Sequence, residues 1–552
     1  MQRLACFCAL CLAPLATAQP VDPFAVIASP APDFFEGFGA WVDAVGDVNQ
    51  DGAVDLVVSA PLAGDYAGGL VYLVASSGEI VSQVGSPNAR REGLFGASAA
   101  FLGDLNGDNR REALVGAPGE TAADRAAFEF GGDGRAYVLA GGSGDVLFSL
   151  VSPNADTLGG TYLTGGFGAA TAGPGDLTGD GVPDFVVGAP EESSDLLYTG
   201  RAYVYSGADG TLVRTLVSPD PQESGLFGAR VEPVSDLDAD GVSELLVVAL
   251  RERPSPGSAE LGRVHVFSGA TGALLFTLDS GIPNSLSTPT GDLADLGDLD
   301  GDGTVDIAVG ATNVGDNGVV LVFSGATGAL VRTLEVDLGE PADAQFGQAI
   351  VPLGDVDLDG VPDLFVGAPF ANDQGTRAGR AFLISGATGE TLLALSSTHP
   401  RLNGQFGRTV AWADIDGDGA NDPVVGAPFE RLVAAEPLGG LVYLFTQAEM
   451  RRALGVAVGT DGAAASGPLA LGAPRPHPTS GRTTLELRLG AAGPVHAELL
   501  DALGRRVAVL ADGAFAAGAH AVELDASGLA PGLYLVRARA AGGSVSRRVV
   551  VR

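Results

Sequence analysis

Seven stretches of this chain place oxygen-bearing side chains at the first, third, fifth and ninth positions of a nine-residue segment. They are Asp47, Asn49, Asp51 and Asp55; Asp104, Asn106, Asp108 and Glu112; Asp176, Thr178, Asp180 and Asp184; Asp236, Asp238, Asp240 and Glu244; Asp298, Asp300, Asp302 and Asp306; Asp355, Asp357, Asp359 and Asp363; and Asp414, Asp416, Asp418 and Asp422. A hard cation such as Ca2+ takes six to eight oxygens at about 2.3–2.6 Å, and alternate residues of a tight loop can aim theirs at one point. A backbone carbonyl is expected from the seventh position. Gly at the sixth permits the positive φ of the turn. One such run would be only a turn-favouring mix of Asp, Asn and Gly, but seven in phase predict calcium sites, up to seven of them. The Asp104 copy is expected to be weakest. It combines Asn106 at the third position with Asn109 at the sixth, where the other copies have Gly, and Arg110 and Arg111 oppose a dication. Extracellular calcium modules bind with Kd of about 10⁻⁴–10⁻³ M, so stability is expected to depend on millimolar calcium.

What must position these loops is a repeat with a period of about 60 residues. Each unit runs from a Phe-Gly pair through an apolar stretch into the acidic loop and then a second apolar run, such as Asp363-Leu364-Phe365-Val366-Gly367-Ala368-Pro369. A third strand follows, then an Ala-Thr-Gly turn and a fourth. Four short strands per unit, joined by Gly-rich turns, predict an all-β fold: a seven-bladed β-propeller over residues 19–447. The seventh unit lacks a fourth strand, whereas residues 24–30, ahead of the first Phe-Gly, resemble the fourth strands at 216–219 and 150–153. The N-terminal strand is therefore expected to complete the last blade. In such a blade the acidic loop and the Ala-Thr-Gly turn share one face. The opposite face carries the longest insertions, at 119–134, 154–166, 251–262 and 429–439, with Tyr66, Phe128, Phe130, Tyr162, Tyr198, Arg251, Arg253, Phe370, Arg377 and Phe429 available for recognition.

These units resemble FG-GAP repeats of the integrin α-chain propeller type. Phe38-Gly39, Phe95-Gly96, Phe167-Gly168, Phe227-Gly228, Phe346-Gly347 and Phe406-Gly407 match the first half of the motif. Gly116-Ala117-Pro118, Gly188-Ala189-Pro190, Gly367-Ala368-Pro369 and Gly426-Ala427-Pro428 match the second. The first unit departs with Ser59-Ala60-Pro61, the fourth with Val248-Ala249-Leu250, and the fifth lacks Phe-Gly and reads Gly310-Ala311-Thr312. The resemblance implies a calcium-binding adhesion or ligand-binding module whose partner is an extracellular glycan or protein. It implies no enzyme.

Composition agrees with an extracellular setting. The chain holds 82 Gly and a formal charge of −36, every basic residue is Arg, and nucleic acid is a poor partner for such a surface. Residues 1–18 read as a signal peptide, with Arg3, an apolar run and Ala16-Thr17-Ala18. All three Cys lie inside it, so no disulfide and no Cys-ligated zinc is expected. No later stretch is apolar enough for a membrane span. No nucleophile elbow, zinc helix or phosphate loop is found, and His265 sits at an alternating strand position. Acid pairs could imitate a glycosidase dyad, so a polysaccharide-active enzyme, or a purely structural surface protein, stands as the alternative reading.

Residues 448–470 read as a linker rich in Ala, Gly and Ser. Residues 471–552 then read as a small β-sandwich of short alternating segments. Asp501 to Val507, Leu529-Ala530-Pro531-Gly532-Leu533-Tyr534 and a final basic strand resemble the type A C-terminal sorting domain of the type IX secretion system. That resemblance implies export, with the secretion machinery as a partner, and a secreted or outer-surface location.

Overall fold

A computed structural model describes residues 21–551 apart from 31, 33–35, 48–53, 65–66, 89–91, 109, 121–132, 142, 155–164, 254–261, 283–290, 339–342, 373–376, 417, 434–436, 457–468, 472–481, 490–492, 502–505, 517, 528, 530–531 and 541–542. The segment read as a signal peptide lies outside the described residues. The chain divides into two compact units, the first ending at Val456.

The first unit contains seven four-stranded antiparallel sheets among the described residues, the organisation of a β-propeller. In each sheet the acidic loop joins the first strand to the second; in the sixth, for example, the order is Ala349–Gly354, Asp363–Ala368, Arg380–Ile384 and Thr391–Ser396. Second strands such as Asp55–Ala60 and Asp184–Ala189 are buried along their whole length. Side chains alternate faces, so a strand buried on both sides is apolar throughout: Leu56 and Val58 pack toward one neighbouring sheet, Val57 toward the other. Seven apolar clusters result, each filled by two adjacent sheets. One of them joins Val424 and Val442 of the last sheet to Val42 and Leu56 of the first, so the ring closes. The last sheet takes its fourth strand from the N-terminus, with Ala25–Ala28 paired antiparallel to Leu441–Leu444.

The Phe-Gly pairs join one sheet to the next. Each Phe N–H donates to the preceding sheet: Phe38 to Gly439 O (2.9 Å), Phe167 to Asp133 O (3.0 Å) and Phe406 to Ala378 O (2.9 Å). The Phe rings pack on third-strand aromatics of their own sheet, as in Phe38 on Tyr72 and Phe406 on Tyr443. The Gly that follows has positive φ, and a Cβ at Gly168 would stand 2.2 Å from Arg135 O. Only Gly fits there.

In the fifth unit the residues in register with Phe-Gly lie outside the described set. The adjacent Asp292 supplies a different tie. It accepts from Arg230 of the fourth sheet (2.9 Å) and from the Ile350 N–H of the sixth (2.9 Å).

The structure departs from the sequence reading at the linker. Residues Gln447–Ala453 form a helix capped by Thr446, and Met450 is fully buried against the sixth and seventh sheets. An Ala/Gly/Ser-rich composition gave no sign of this, because the helix depends on tertiary burial of one apolar side chain and not on propensity alone. The second unit likewise starts before residue 471, since strand Leu469–Leu471 pairs with Arg482–Leu489. Its three-stranded and four-stranded sheets share one core, with Leu485, Leu487 and Val522 from one and Val495, Leu499 and Val536 from the other. This is a β-sandwich.

Candidate metal centres

The acidic loops among the described residues are shaped by their own carboxylates before any ion enters. Asp298 accepts the N–H groups of Gly301 (2.6 Å), Asp302 (3.1 Å) and Gly303 (2.9 Å), and Asp302 accepts that of Thr304 (2.8 Å). The sixth-position N–H donates in the same way to Asp176, Asp236, Asp355 and Asp414. The sixth position has positive φ, as at Gly303 (92°) and Gly360 (96°). So does the fourth position. There Ala239 (62°) and Leu358 (65°) adopt the left-handed conformation without being Gly, at a cost of about 1–2 kcal/mol each, a feature the sequence reading missed. The curl brings the alternate side chains together.

Five clusters gather ligand-type oxygens within 4.8 Å of one another among the described residues. Asp236, Asp238, Asp240 and Glu244 converge in the fourth loop, and Asp104, Asp108 and Glu112 in the second. Asp298, Asp300 and Asp302 gather in the fifth, Asp355, Asp357 and Asp359 in the sixth, and Asp414, Asp416 and Asp422 in the seventh. Asp306, Asp363 and Asp418 stand outside these clusters. Asp176, Thr178, Asp180 and Asp184 form none. Of the first loop only Asp47 and Asp55 are described; Asn49 and Asp51 lie outside the described residues.

The ninth-position acid has a second job. Asp363 accepts Val356 N–H (2.8 Å) and Asp357 N–H (3.2 Å) on one oxygen and Gly386 N–H (3.1 Å) on the other, stitching the loop to the turn between strands three and four. Asp184 does the same with Leu177, Thr178 and Gly207. Asp363, Asp422 and Glu244 are buried at this position, which raises their pKa. Burial pushes Asp422 up to about 7, with Asp416 and Asp418 adding repulsion, and Asp363 up to about 6. Burial likewise pushes Glu244 up to about 7, helped by Asp238 and Asp236 and opposed by the Leu237 N–H.

The fourth loop gives the clearest test of fit. Glu244 is fully buried, and its Oε1 has no hydrogen-bond partner among the described residues. A buried, unpaired carboxylate oxygen beside three further carboxylates is costly without a cation. The second loop is different. Asn106 Nδ2 donates to Glu112 Oε1 (3.0 Å) and Asp108 Oδ2 (3.2 Å), setting a neutral donor between two acids. Arg111 turns away and lies over Phe101, 5.7 Å from the ring centre.

Comparison with known proteins gives the same repeats. Residues 95–139, 167–205 and 346–384 match the FG-GAP repeat, and residues 476–552 match the secretion system C-terminal sorting domain. The chain carries FG-GAP repeats and ends in a secretion-system sorting domain. It is 34% identical over 230 residues to mouse integrin alpha-IIb (40% of this chain, 20% of that one) and 30% identical over 203 residues to integrin alpha-5 of Xenopus laevis (35% and 18%). With chicken integrin alpha-V it shares 32% over 205 residues (35% and 19%). The chain thus spans about a fifth of the integrin relatives it matches. Among solved structures, PorZ, a surface component of the type-IX secretion system of Porphyromonas gingivalis, aligns with 14% identity and a TM-score of 0.38 over 96% of this chain and 61% of that one, too distant a likeness to bear on function. The sorting domain indicates export by the type IX system to the cell surface or beyond. No helix of the described residues is long and apolar enough to cross a membrane.

The face opposite the acidic loops holds a second set of carboxylates, unnoticed in the sequence. Glu36, Glu120, Glu192, Glu252 and Glu430 are all buried. Four follow the second FG-GAP half or its variant at one spacing, four residues after Gly116, Gly188, Val248 and Gly426. Glu120 accepts from Tyr137 (2.6 Å) and from Ser86 of the preceding sheet; Glu192 accepts from Tyr203, from Ser152 of the preceding sheet and from Arg201 (3.1 Å). Glu430 accepts from Ser397 (2.7 Å) and Tyr443. In the fourth sheet His265 stands where the others have Tyr, and it bonds Glu252 (2.8 Å) and Thr277 (2.9 Å). His265 is therefore packed and has no exposure. The Ser-Glu-Tyr sets latch adjacent sheets.

Most of the long insertions on this face lie outside the described residues, including Tyr66, Phe128, Phe130 and Tyr162. Of the aromatic and Arg residues singled out there, Tyr198, Arg251, Arg253, Phe370, Arg377 and Phe429 are described. Arg377 covers the Phe370 ring at 5.1 Å.

Proposed function

We propose that this protein is an exported, calcium-binding propeller that acts as an adhesion or ligand-binding module for an extracellular glycan or protein. The observation that carries this reading is the fourth acidic loop, where the buried and unpaired Glu244 meets Asp236, Asp238 and Asp240. Calcium bound there would supply the positive charge that the loop lacks. The same role falls to the clusters led by Asp298, Asp355 and Asp414, with the Asp104 and Asp176 loops weaker. Support comes from the FG-GAP repeats shared with integrin alpha chains and from the sorting domain.

The residues of this chain divide the work. The acidic loops hold one face of the ring rigid, and the opposite face presents the loops whose length varies most, where recognition is cheapest to evolve. Binding without turnover is the reading for that face. The one histidine of the ring that is fully buried, His265, is held by Glu252 and Thr277 and has no access to a bound ligand.

The test uses the whole chain on a panel of polysaccharides and matrix proteins, in calcium and in chelator, scoring both retention and chain cleavage. Calcium-dependent retention with the ligand intact is expected. Shortening of a glycan with time would replace this reading with a polysaccharide-active enzyme. Self-association without retention would replace it with a structural surface protein.

A further inference from the structure

In the second, third and sixth sheets the glycine of the turn between strands three and four donates its N–H to the ninth-position acid: Gly141 to Glu112 (3.3 Å), Gly207 to Asp184 (3.1 Å) and Gly386 to Asp363 (3.1 Å). The seventh sheet has no such turn, because its fourth strand comes from the N-terminus. Its chain runs instead from strand Leu441–Leu444 into the helix Gln447–Ala453. There the N–H of Gln447 donates to Asp422 Oδ1 at 2.7 Å, in the place of the missing glycine.

The helix also reaches the neighbouring loop. Gln447 Nε2 donates to Leu353 O (3.1 Å) and Asn421 O (3.3 Å), so one side chain ties the sixth sheet to the seventh loop. One turn on, Arg451 donates from Nε to Val356 O (3.2 Å) and from Nη2 to Asp355 O (2.9 Å), the carbonyls of the first two residues of the sixth acidic loop. Met450 between them is fully buried in the cluster that contains Leu353 and Val356. Guanidinium groups make rigid forked donors, and a second layer of hydrogen bonds fixes the direction of metal-ligating oxygens.

We propose that Gln447 and Arg451 are positioning residues for the cation sites of the sixth and seventh loops. The helix holds both loops in their curled form ahead of ion binding, so that docking of the helix and occupancy of these two sites are one coupled equilibrium. This rests on the calcium reading of the loops given above. Preorganisation of this kind raises affinity by removing the ordering cost from the binding step.

The chain provides its own reporter. It holds two Trp, and Trp412 lies two residues before Asp414. In the full-length chain carrying Trp41→Phe, terbium luminescence sensitised by Trp412 reads the seventh loop, and calorimetric calcium titration reads all sites together. Gln447→Ala is expected to weaken terbium binding at the seventh loop roughly five- to tenfold, the effect of one or two hydrogen bonds. Arg451→Ala is expected to weaken one class of calcium sites by a similar factor, and Arg451→Lys to recover part of it. In both Ala variants the gain in melting temperature on adding calcium should shrink.

Wild-type affinities in both Ala variants would overturn the proposal. So would a loss of melting temperature of equal size in calcium and in chelator, which is what a purely structural helix gives. Absence of sensitised terbium emission and of calcium heats in the parent chain would instead overturn the calcium reading itself, and the helix role with it.

Discussion

Both faces of the ring carry rows of carboxylates, and their surroundings are opposite. On one face Asp236, Asp238, Asp240 and Glu244 lie within 4.8 Å of one another with no cationic side chain in the cluster. On the other, Glu192 sits alone and buried, with Ser152, Tyr203 and Arg201 all donating to it. A carboxylate whose donors come from the protein is a structural part, complete at folding. A group of carboxylates that repel each other and leave a buried oxygen unpaired is complete only with a cation. Residue type alone does not separate the two roles; the donor inventory does.

The largest effect that would sharpen this contrast is calcium removal. At millimolar calcium each occupied site contributes roughly 1–2 kcal/mol, so several sites together contribute about 5–10 kcal/mol. Calorimetry should show a large fall in melting temperature in chelator, and an unchanged melt would break the contrast at once. Next comes the opposite face. Glu192→Ala strands Arg201 and Tyr203 and should cost about 3–5 kcal/mol, by the same amount in calcium and in chelator. A calcium-dependent cost would show that the two faces are not separate.

A smaller change is expected from the paired substitution Asp236→Asn and Asp238→Asn. It should remove one site's share of the calcium gain, roughly 1–2 kcal/mol, while leaving the melt in chelator the same or higher, because like charges are relieved. A lower melt in chelator would mean that these acids are structural like Glu192.

A last contrast concerns pH. The folded, calcium-free chain holds Glu244 and Asp422 at about 7 and Asp363 at about 6, all above their ordinary values because of burial. A group whose pKa is raised by folding stabilises the fold below its ordinary value and loses that contribution as pH climbs through the raised one. In chelator, stability should therefore fall between about pH 4 and 7. Calcium favours the ionised forms and should flatten the curve. Parallel profiles with and without calcium would indicate that Glu244 and Asp422 do not face the ion.

The propeller units were legible in the sequence because their signals are local and repeated. A strand needs an apolar run and a turn needs Gly, and seven copies of both at about the same spacing leave little ambiguity. The curl of the acidic loops was half legible. Gly at the sixth position announced one left-handed residue, but Ala239 and Leu358 gave no sign of the other, since neither favours that conformation. The helix Gln447–Ala453 was hidden for a similar reason. It exists because Met450 fills the cluster between the sixth and seventh sheets and Arg451 finds the carbonyls of Asp355 and Val356, none of which is near in sequence.

The buried glutamates were present as a spacing, four residues after the second FG-GAP half, yet a spacing does not show burial. Part of their donor set comes from a different sheet, as Ser86 does for Glu120 and Ser397 for Glu430.

By itself the sequence determined the repeat, the strand order within each unit, the acidic loops and the sorting domain, because each rests on residues within about a dozen positions of one another. Tertiary structure alone decided which carboxylates converge, which are silenced by a Tyr of their own sheet or a Ser of the one before, and where the last sheet finds the hydrogen bonds its missing turn would have made. Those outcomes depend on burial and on donors brought from other sheets. Only the closed ring brings those groups within reach.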